Sequence, residues 1–348
     1  MTITRRGLAP AAAASALLLA GGSLPARAQA PEKVRLTLTG LSMLYLPLYV
    51  TEAMGYFQEQ RIAPEIHYFK AGGAAALAAV VGSNMDVYVG AASSSIRSQT
   101  MGTDALIIAP TVTRYSIDIV VRKDIAAQRG ITEKSSEIER YKSLKGLKIG
   151  ASGAGSGTHQ IAQYALSRAG LNSERDATMV FLGDSASTLA AFGAKRIDAI
   201  TASSPASEIA VRDQNGFLLV DGPGNGYSEL DGFLYVALIS TNKWTNANPD
   251  LTTRVVRAFM KGQQAMHDPK LGPEARDKVH AKYFDSIDKA VFDMAWGRDL
   301  PGIPTNLTMS DAMMERVVKF LNEFSSEKMN VADIKKTYTN RFVTAAMA

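Results

Sequence analysis

From Val34 onward, short apolar runs rich in β-formers alternate with helical runs. VRLTLTG (34–40) predicts a strand, YLPLYVTEAMGYFQEQ (45–60) a helix, APEIHYFK (63–70) a strand and GGAAALAAVVGS (72–83) a helix. DVYVGA (86–91) and DALIIAPTV (104–112) predict further strands. Strands alternating with helices make parallel βαβ units, so the fold class is α/β. A second series begins at LKGLKIGAS (144–152), continues with a helix from Gly157, a strand at ATMVFLG (177–183), a helix at SASTLAAFGAKR (185–196) and a strand at IDAITAS (197–203), and later reaches GFLLV (216–220).

The two series share more than their order. LAAVVGSNMDVYVGAASS from Leu77 aligns without a gap to LAAFGAKRIDAITASSPA from Leu189, an offset of 112 residues (189 minus 77) that also places Asp86 on Asp198. Gly55 and Gly170 stand where the early helix of each series should end, as a left-handed helix stop requires. Two lobes of similar fold follow, and a chain of 348 residues exceeds what one core usually serves. SIDIVVRK (116–123) and GFLYVALIST (232–241) are apolar and extended enough to cross between them. The expected division is a first lobe of residues 31–118 plus 235–348 and a second lobe of residues 119–234. After Thr241 the pattern turns helical: Val317, Val318, Leu321 and Phe324 have the spacing of an amphipathic surface helix. The segment 124–143 is polar and reads as a surface excursion, and PGIPTN breaks the helical run near Pro301 and Pro304.

The first residues change the picture of where this chain works. Arg5 and Arg6, an apolar run from Leu8 to Leu19 and small residues around PARAQA are ordered as in a secretory signal peptide of residues 1–28. Cleavage after Ala28 is favoured over Ala30, because Pro31 makes a poor residue behind a scissile bond. The Arg pair fits an ordinary Sec leader and also a twin-arginine one. The chain has no cysteine, which removes disulfides, thiolate metal sites, a Cys nucleophile and a lipidated Cys, and suggests a protein free in a periplasm. Taking Arg5, Arg6 and Arg27 from 38 basic residues leaves 35 against 33 acidic, a charge of +2, so nothing in the charge supports nucleic-acid binding.

Candidate chemistry concentrates in LKIGASGAGSGTHQIAQYALSRAG (147–170). Gly150 and Gly155 have P-loop spacing, but Ser156 stands where the lysine must be, and Thr158 occupies the third glycine's place in a dinucleotide fingerprint. Gly150, Ser152 and Ala154 approximate a nucleophile elbow, which would make an exported esterase using Ser152. The four histidines show no metal spacing, and no cofactor is expected. What remains is a helix start at Ser156, Gly157 and Thr158, where unpaired N–H groups and hydroxyls converge; capping alone and anion binding both fit. Position favours the anion, because ligands of open α/β sheets bind beyond the carboxyl ends of strands. Three other such ends are rich in hydroxyls: 39–45, 90–95 and 201–206, the last containing Ser203 and Ser204.

YLPLYVTEAMGYF, SLKGLKIGASGAGSGTHQIAQYALSRAGL and LAAFGAKRIDAITASSP resemble the periplasmic substrate-binding proteins of ABC importers, in the branch with sulfonate-, taurine- and nitrate-binding members. The resemblance implies a type II periplasmic binding protein fold, two Rossmann-like lobes joined by two crossing strands, serving ABC permease subunits as a monomer. It implies ligand contacts at Ser42, Leu44, Tyr45 and Leu46, at Ala92, Ser93 and Ser94, and at Ser156, Gly157, Thr158 and His159. Pyrimidine-synthesising enzymes of the same superfamily form an alternative, but they need a cysteine-bearing iron site. The expected ligand is a small organic anion, a sulfonate or carboxylate, enclosed by hinge closure without bond chemistry. Tyr45 and Leu46 are candidates for an apolar wall, Arg114 for a charged anchor and His159 for a donor to the anion. Asp184 and Asp231 would suit an amine-bearing ligand.

Overall fold

A computed structural model describes residues 30–69, 72–324, 328–329 and 331–348. The expected signal peptide, 1–28, lies outside the described residues.

The first series gives β1 (Glu32–Leu38), α1 (Leu46–Ala53), α2 (Tyr56–Glu59), β2 (Ile62–Tyr68), α3 (Gly73–Val81), β3 (Val87–Ala91), α4 (Ala92–Thr100) and β4 (Ala105–Val112). The second gives β5 (Asp118–Arg122), α5 (Lys123–Gln128), α6 (Glu137–Lys142), β6 (Lys148–Ala151), α7 (Gly157–Arg168), β7 (Thr178–Phe181), α8 (Ser185–Gly193), β8 (Ala199–Ala202), α9 (Ala206–Asp213) and β9 (Gly216–Val220). Then follow β10 (Val236–Thr241), α10 (Asn242–Ala247), α11 (Pro249–His267), α12 (Leu271–Tyr283), α13 (Lys289–Asp299), α14 (Asp311–Phe324) and α15 (Arg341–Met347).

Two sheets result, ordered β2-β1-β3-β10-β4 and β7-β6-β8-β5-β9. Each has a parallel trio, and each takes one crossing strand, β10 or β5, antiparallel between its neighbours. This is an α/β fold of two Rossmann-like lobes. The aligned aspartates do the same work in both. Asp86 accepts the N–H of Arg35 at 2.8 Å and Asp198 that of Lys148 at 2.9 Å, while their own N–H groups return to the carbonyls of the same two residues. Each carboxylate thereby fixes where the third strand meets the first, and a one-residue slip there would turn buried side chains outward.

The run 45–60 is not one helix. Gly55, at φ +80°, separates α1 from α2, so the glycine that stops the first helix also starts a second short one. Gly170, at φ +73°, ends α7 as expected. The polar stretch 124–143 holds α5 and α6. Ser136 and Glu139 form a reciprocal capping box at α6, and Tyr141 is buried, which anchors the excursion. Where the chain crosses between sheets, Tyr115 stacks on Tyr235 with ring centroids 4.2 Å apart, and Phe233 and Phe320 close around them at 5.2 and 5.1 Å from Tyr115. An aromatic core therefore sits directly under the crossing. Among the described residues, no helix is long and apolar enough to cross a membrane.

Candidate functional site

The carboxyl ends of β1, β3, β6 and β8 meet around one cavity of about 780 Å³. From the first sheet, Ser42 takes an extended conformation, accepts the Leu44 N–H at 3.2 Å and starts the 3-10 turn Met43–Tyr45. Tyr45 reaches Thr39 with its hydroxyl, 2.6 Å between oxygens, and burial raises its pKa. From the second sheet, the Ser156 hydroxyl caps α7 by accepting the His159 N–H at 3.2 Å, and it donates to the Gly153 carbonyl at 2.7 Å. Thr158 Oγ1 accepts the Ser152 N–H at 3.0 Å and lies 2.8 Å from the Ser152 hydroxyl. With the cap spent on His159, the N–H groups of Gly157 and Thr158 have no hydrogen-bond partner among the described residues, and both residues line the cavity. These donors, with the helix dipole behind them, favour an anion.

The two lobes touch across the cleft. Ser42 Oγ lies 2.7 Å from Ser203 Oγ, the Met43 N–H donates to the Ser204 carbonyl at 3.1 Å, and Ser93 Oγ donates to Gln160 Oε1 at 2.9 Å. Around the cavity, Arg97 and Asp184 are the charged side chains among the described lining residues. An anion here meets little net counter-charge, so amides and hydroxyls must do the holding.

Ser42, Leu44, Tyr45, Ser94, Ser156, Gly157, Thr158, Asp184 and Ser203 line the cavity. The other expected residues do not. Leu46 and Ala92 are fully buried, because each opens a helix that turns its first side chain into the core. Ser93 is buried with its hydroxyl committed to Gln160, and Ser204 with its hydroxyl donated to Glu208 at 3.0 Å. Arg114 lies outside the lining, and its guanidinium donates to the Pro223 carbonyl at 2.6 Å. Asp231 is exposed outside the lining.

His159 departs most. Its Nδ1 accepts the Gly155 N–H at 2.9 Å and its ring stands edge-on to Phe181, while burial, aided by Arg97, lowers its pKa. A neutral ring acting as acceptor cannot donate to an anion from that nitrogen, and it faces a second cavity of about 1070 Å³ lined from α4, α7 and α14. Gly157 also plays an unexpected part. A Cβ there would lie 2.3 Å from the Tyr235 hydroxyl, and its carbonyl accepts the Tyr115 hydroxyl at 2.8 Å. The glycine lets α7 approach the crossing strands, whereas Gly153 and Gly155, with open space beside them, leave room in the cleft.

Sequence reasoning missed the cavity-facing side of α3. Gly73, Ala74, Leu77, Ala78 and Val81 give the cavity an apolar wall. The Gly72-Gly73 pair after β2 was the available signal, since it too follows a strand end. Tyr88 and Tyr235 line the cavity from inside strand patterns, and nothing local in the sequence marked them. Among the described residues no triad forms at Ser152: its hydroxyl is bonded to Thr158, and the His159 imidazole to Gly155.

The NMT1-like family model matches residues 28–281. No curated protein matches the sequence. A solved structure from Bordetella bronchiseptica RB50 is similar with a TM-score of 0.77 at 23% identity, covering 90% of this chain and 96% of that one. The alkanesulfonate-binding protein from Xanthomonas axonopodis pv. citri, bound to MOPS, is similar with a TM-score of 0.68 at 18% identity, over 90% and 100%. The periplasmic nitrate-binding protein from Synechocystis PCC 6803 gives 0.70 at 14% identity, over 91% and 88%.

Proposed function

The chain belongs to the NMT1-like family, and on that premise we propose that it is the periplasmic solute-binding component of an ABC importer, exported by a cleaved leader and working as a monomer. In this reading it captures a small organic anion between its lobes and hands it to a membrane permease, with no bond made or broken. The lobes are residues 31–118 with 235–348, and residues 119–234. The observation that carries the reading is the pair of unspent N–H groups at Gly157 and Thr158, lining a cleft that both lobes enclose. An alkanesulfonate-binding and a nitrate-binding protein among the structural neighbours agree with an anion.

Magnitudes set what else the cleft must supply. A helix terminus favours an anion by about 0.3 to 2 kcal/mol, whereas micromolar binding requires about −8 kcal/mol. Apolar contact at Leu44, Leu77, Ala78 and Val81 contributes about 25 cal/mol for each Å² of ligand carbon buried. The ligand thus carries an apolar body as well as an anionic group. Because both lobes contribute contacts only when together, ligand favours closure.

A thermal-shift screen over sulfonates, carboxylates, nitrate, amino acids and aromatic acids tests the reading. A cognate anion at about a thousand times its dissociation constant stabilises the protein by about 4 kcal/mol. Absence of any hit, or a ligand seated outside the cleft in a soaked crystal, overturns it. Hydrolysis of a chromogenic ester that is lost in Ser152→Ala would replace it with an enzyme.

A further inference from the structure

Behind the cleft, α13 is tied at both ends to elements of the second lobe. Its N-cap, Asp288, pairs with Arg212 of α9 at 3.2 Å. Near its other end, Arg298 donates to both oxygens of Asp118 on β5 at 2.9 and 3.1 Å, to Asp221 beyond β9 at 2.7 Å, and to Glu208 on α9. The same helix packs against the Met43–Tyr45 turn of the first lobe. One helix therefore touches both sides of the hinge.

Glu208 carries this tie into the cleft. Its two oxygens accept the Ser204 hydroxyl at 3.0 Å and the Ser207 hydroxyl at 3.1 Å. Ser204 in turn holds the Met43 N–H through its carbonyl, beside the Ser203–Ser42 contact. The charges are unbalanced. Asp118, Glu208, Asp221 and Asp299 gather round one guanidinium, and Asp299 Oδ2 is buried with no hydrogen-bond partner. Arg212 of α9 does not relieve the surplus, since it pairs with Asp213 and Asp288. Without Arg298 the buried carboxylates would repel one another, and α9 and β5 would have to separate or take up protons.

We propose that Arg298 is a positioning residue for lobe closure: by drawing Asp118, Glu208 and Asp221 onto one guanidinium, it holds the Ser203–Ser204 strand end against Ser42–Met43 and so sets the closed fraction. It touches no ligand. The consequence for affinity rests on the cleft being the ligand site, whereas the consequence for lobe separation does not.

The chain has no cysteine, so Gln58→Cys and Ala194→Cys, exposed in the first and second lobes respectively, take spin labels without background. Their separation is read by pulsed electron resonance in the ligand-free protein. Arg298→Met, shown to be folded by far-ultraviolet circular dichroism, is expected to lengthen and broaden the distance distribution. Glu208→Ala, which leaves Arg298 paired to Asp118 and Asp221, is expected to do the same to a smaller extent, and it decides the matter if Arg298→Met does not fold. An unchanged distribution in the folded variant overturns the proposal. For any ligand that the screen identifies, a fall of the closed fraction to a tenth raises the apparent dissociation constant about tenfold. A lengthened separation with no ligand found from any class would count against the transport reading and leave the role of Arg298 supported.

Discussion

The two lobes repeat one topology and diverge in chemistry at the same places. After β1 the chain makes a 3-10 turn capped by Ser42 and enters α1 through Leu46 and Pro47, so its helix start is closed over with apolar groups. After β6 it makes a glycine–serine turn and enters α7 with two N–H groups unspent. The first lobe contributes Tyr45 and the apolar face of α3, the second contributes amides and hydroxyls. The duplicated scaffold thus lines the cleft with an apolar face from one lobe and a polar one from the other. The sheet device is shared, but its setting is not. Asp86 is buried and receives Arg35 through two nitrogens, whereas Asp198 is about a quarter exposed and its arginine stands 3.4 Å away.

That asymmetry gives the largest expected effect. Asp86→Ala leaves the Arg35 N–H without its acceptor and its guanidinium with the Ser83 carbonyl alone, at an expected cost of about 3 kcal/mol, while Asp198→Ala costs about 1 kcal/mol. Urea denaturation of both variants checks the ranking, and equal losses would mean that the two aspartates do not differ as their burial indicates. Next is Gly157→Val. Its Cβ would meet the hydroxyl of Tyr235, a side chain already held by stacking on Tyr115, at a cost of about 1 to 3 kcal/mol. Because the strain falls where α7 meets the crossing strands, ligand affinity measured by calorimetry should drop about 10- to 100-fold. Gly153→Ala, with open space beside it, should leave stability unchanged.

A third comparison uses the crossing strands themselves. Ala237 of β10 lies opposite Gly90, and Asp118 of β5 lies opposite Ala202, 112 residues further on, so a carboxylate in one lobe occupies the place of an alanine in the other. Burial, reinforced by Glu208, lifts Asp118 to about 7 against the pull of Arg298. Since this exceeds the unfolded value of about 3.9, the folded state binds the proton more tightly. The stabilisation is full at low pH and is lost as pH rises from about 4 through 7. The melting temperature of the parent minus that of Asp118→Asn should therefore shrink by a few degrees between pH 5 and 8. A difference that stays constant would mean that Asp118 is ionised throughout.

The scaffold was legible because its signals are local. Alternation of apolar runs marks the strands, and the offset between Leu77 and Leu189 marks the duplication. Ser42, Ser156 and Ser203, expected on the rule that strand ends carry ligands in such sheets, do line the cavity. Leu46, Ala92 and Ser204 illustrate the limit: each adjoins a lining residue, and only the phase of a helix turn decides which neighbour faces the cavity. Arg114 and His159 fall outside the lining for a different reason. Their partners, the Pro223 carbonyl and the Gly155 N–H, are backbone groups whose availability depends on loop conformation. Arg298 gave no signal, since its three carboxylate partners, Asp118, Glu208 and Asp221, stand 77 to 180 residues away and meet it only through the fold.

The smallest effects separate the two serines that open the half-sites. Ser156 caps α7 inside its own lobe, so Ser156→Ala is expected to lower stability by about 1 kcal/mol whether the lobes are open or closed. Ser42 makes its 2.7 Å bond to Ser203 across the cleft, and that bond exists only when the lobes meet. Ser42→Ala should therefore cost about 1 kcal/mol in the closed form alone, which weakens ligand binding about fivefold and scarcely moves the unliganded denaturation midpoint. Paired denaturation and calorimetry on the two variants distinguish these outcomes. If Ser42→Ala loses stability without losing affinity, its hydroxyl serves the 3-10 turn through Leu44 rather than closure, and the first lobe's share in holding the lobes shut passes to Met43 and Ser93.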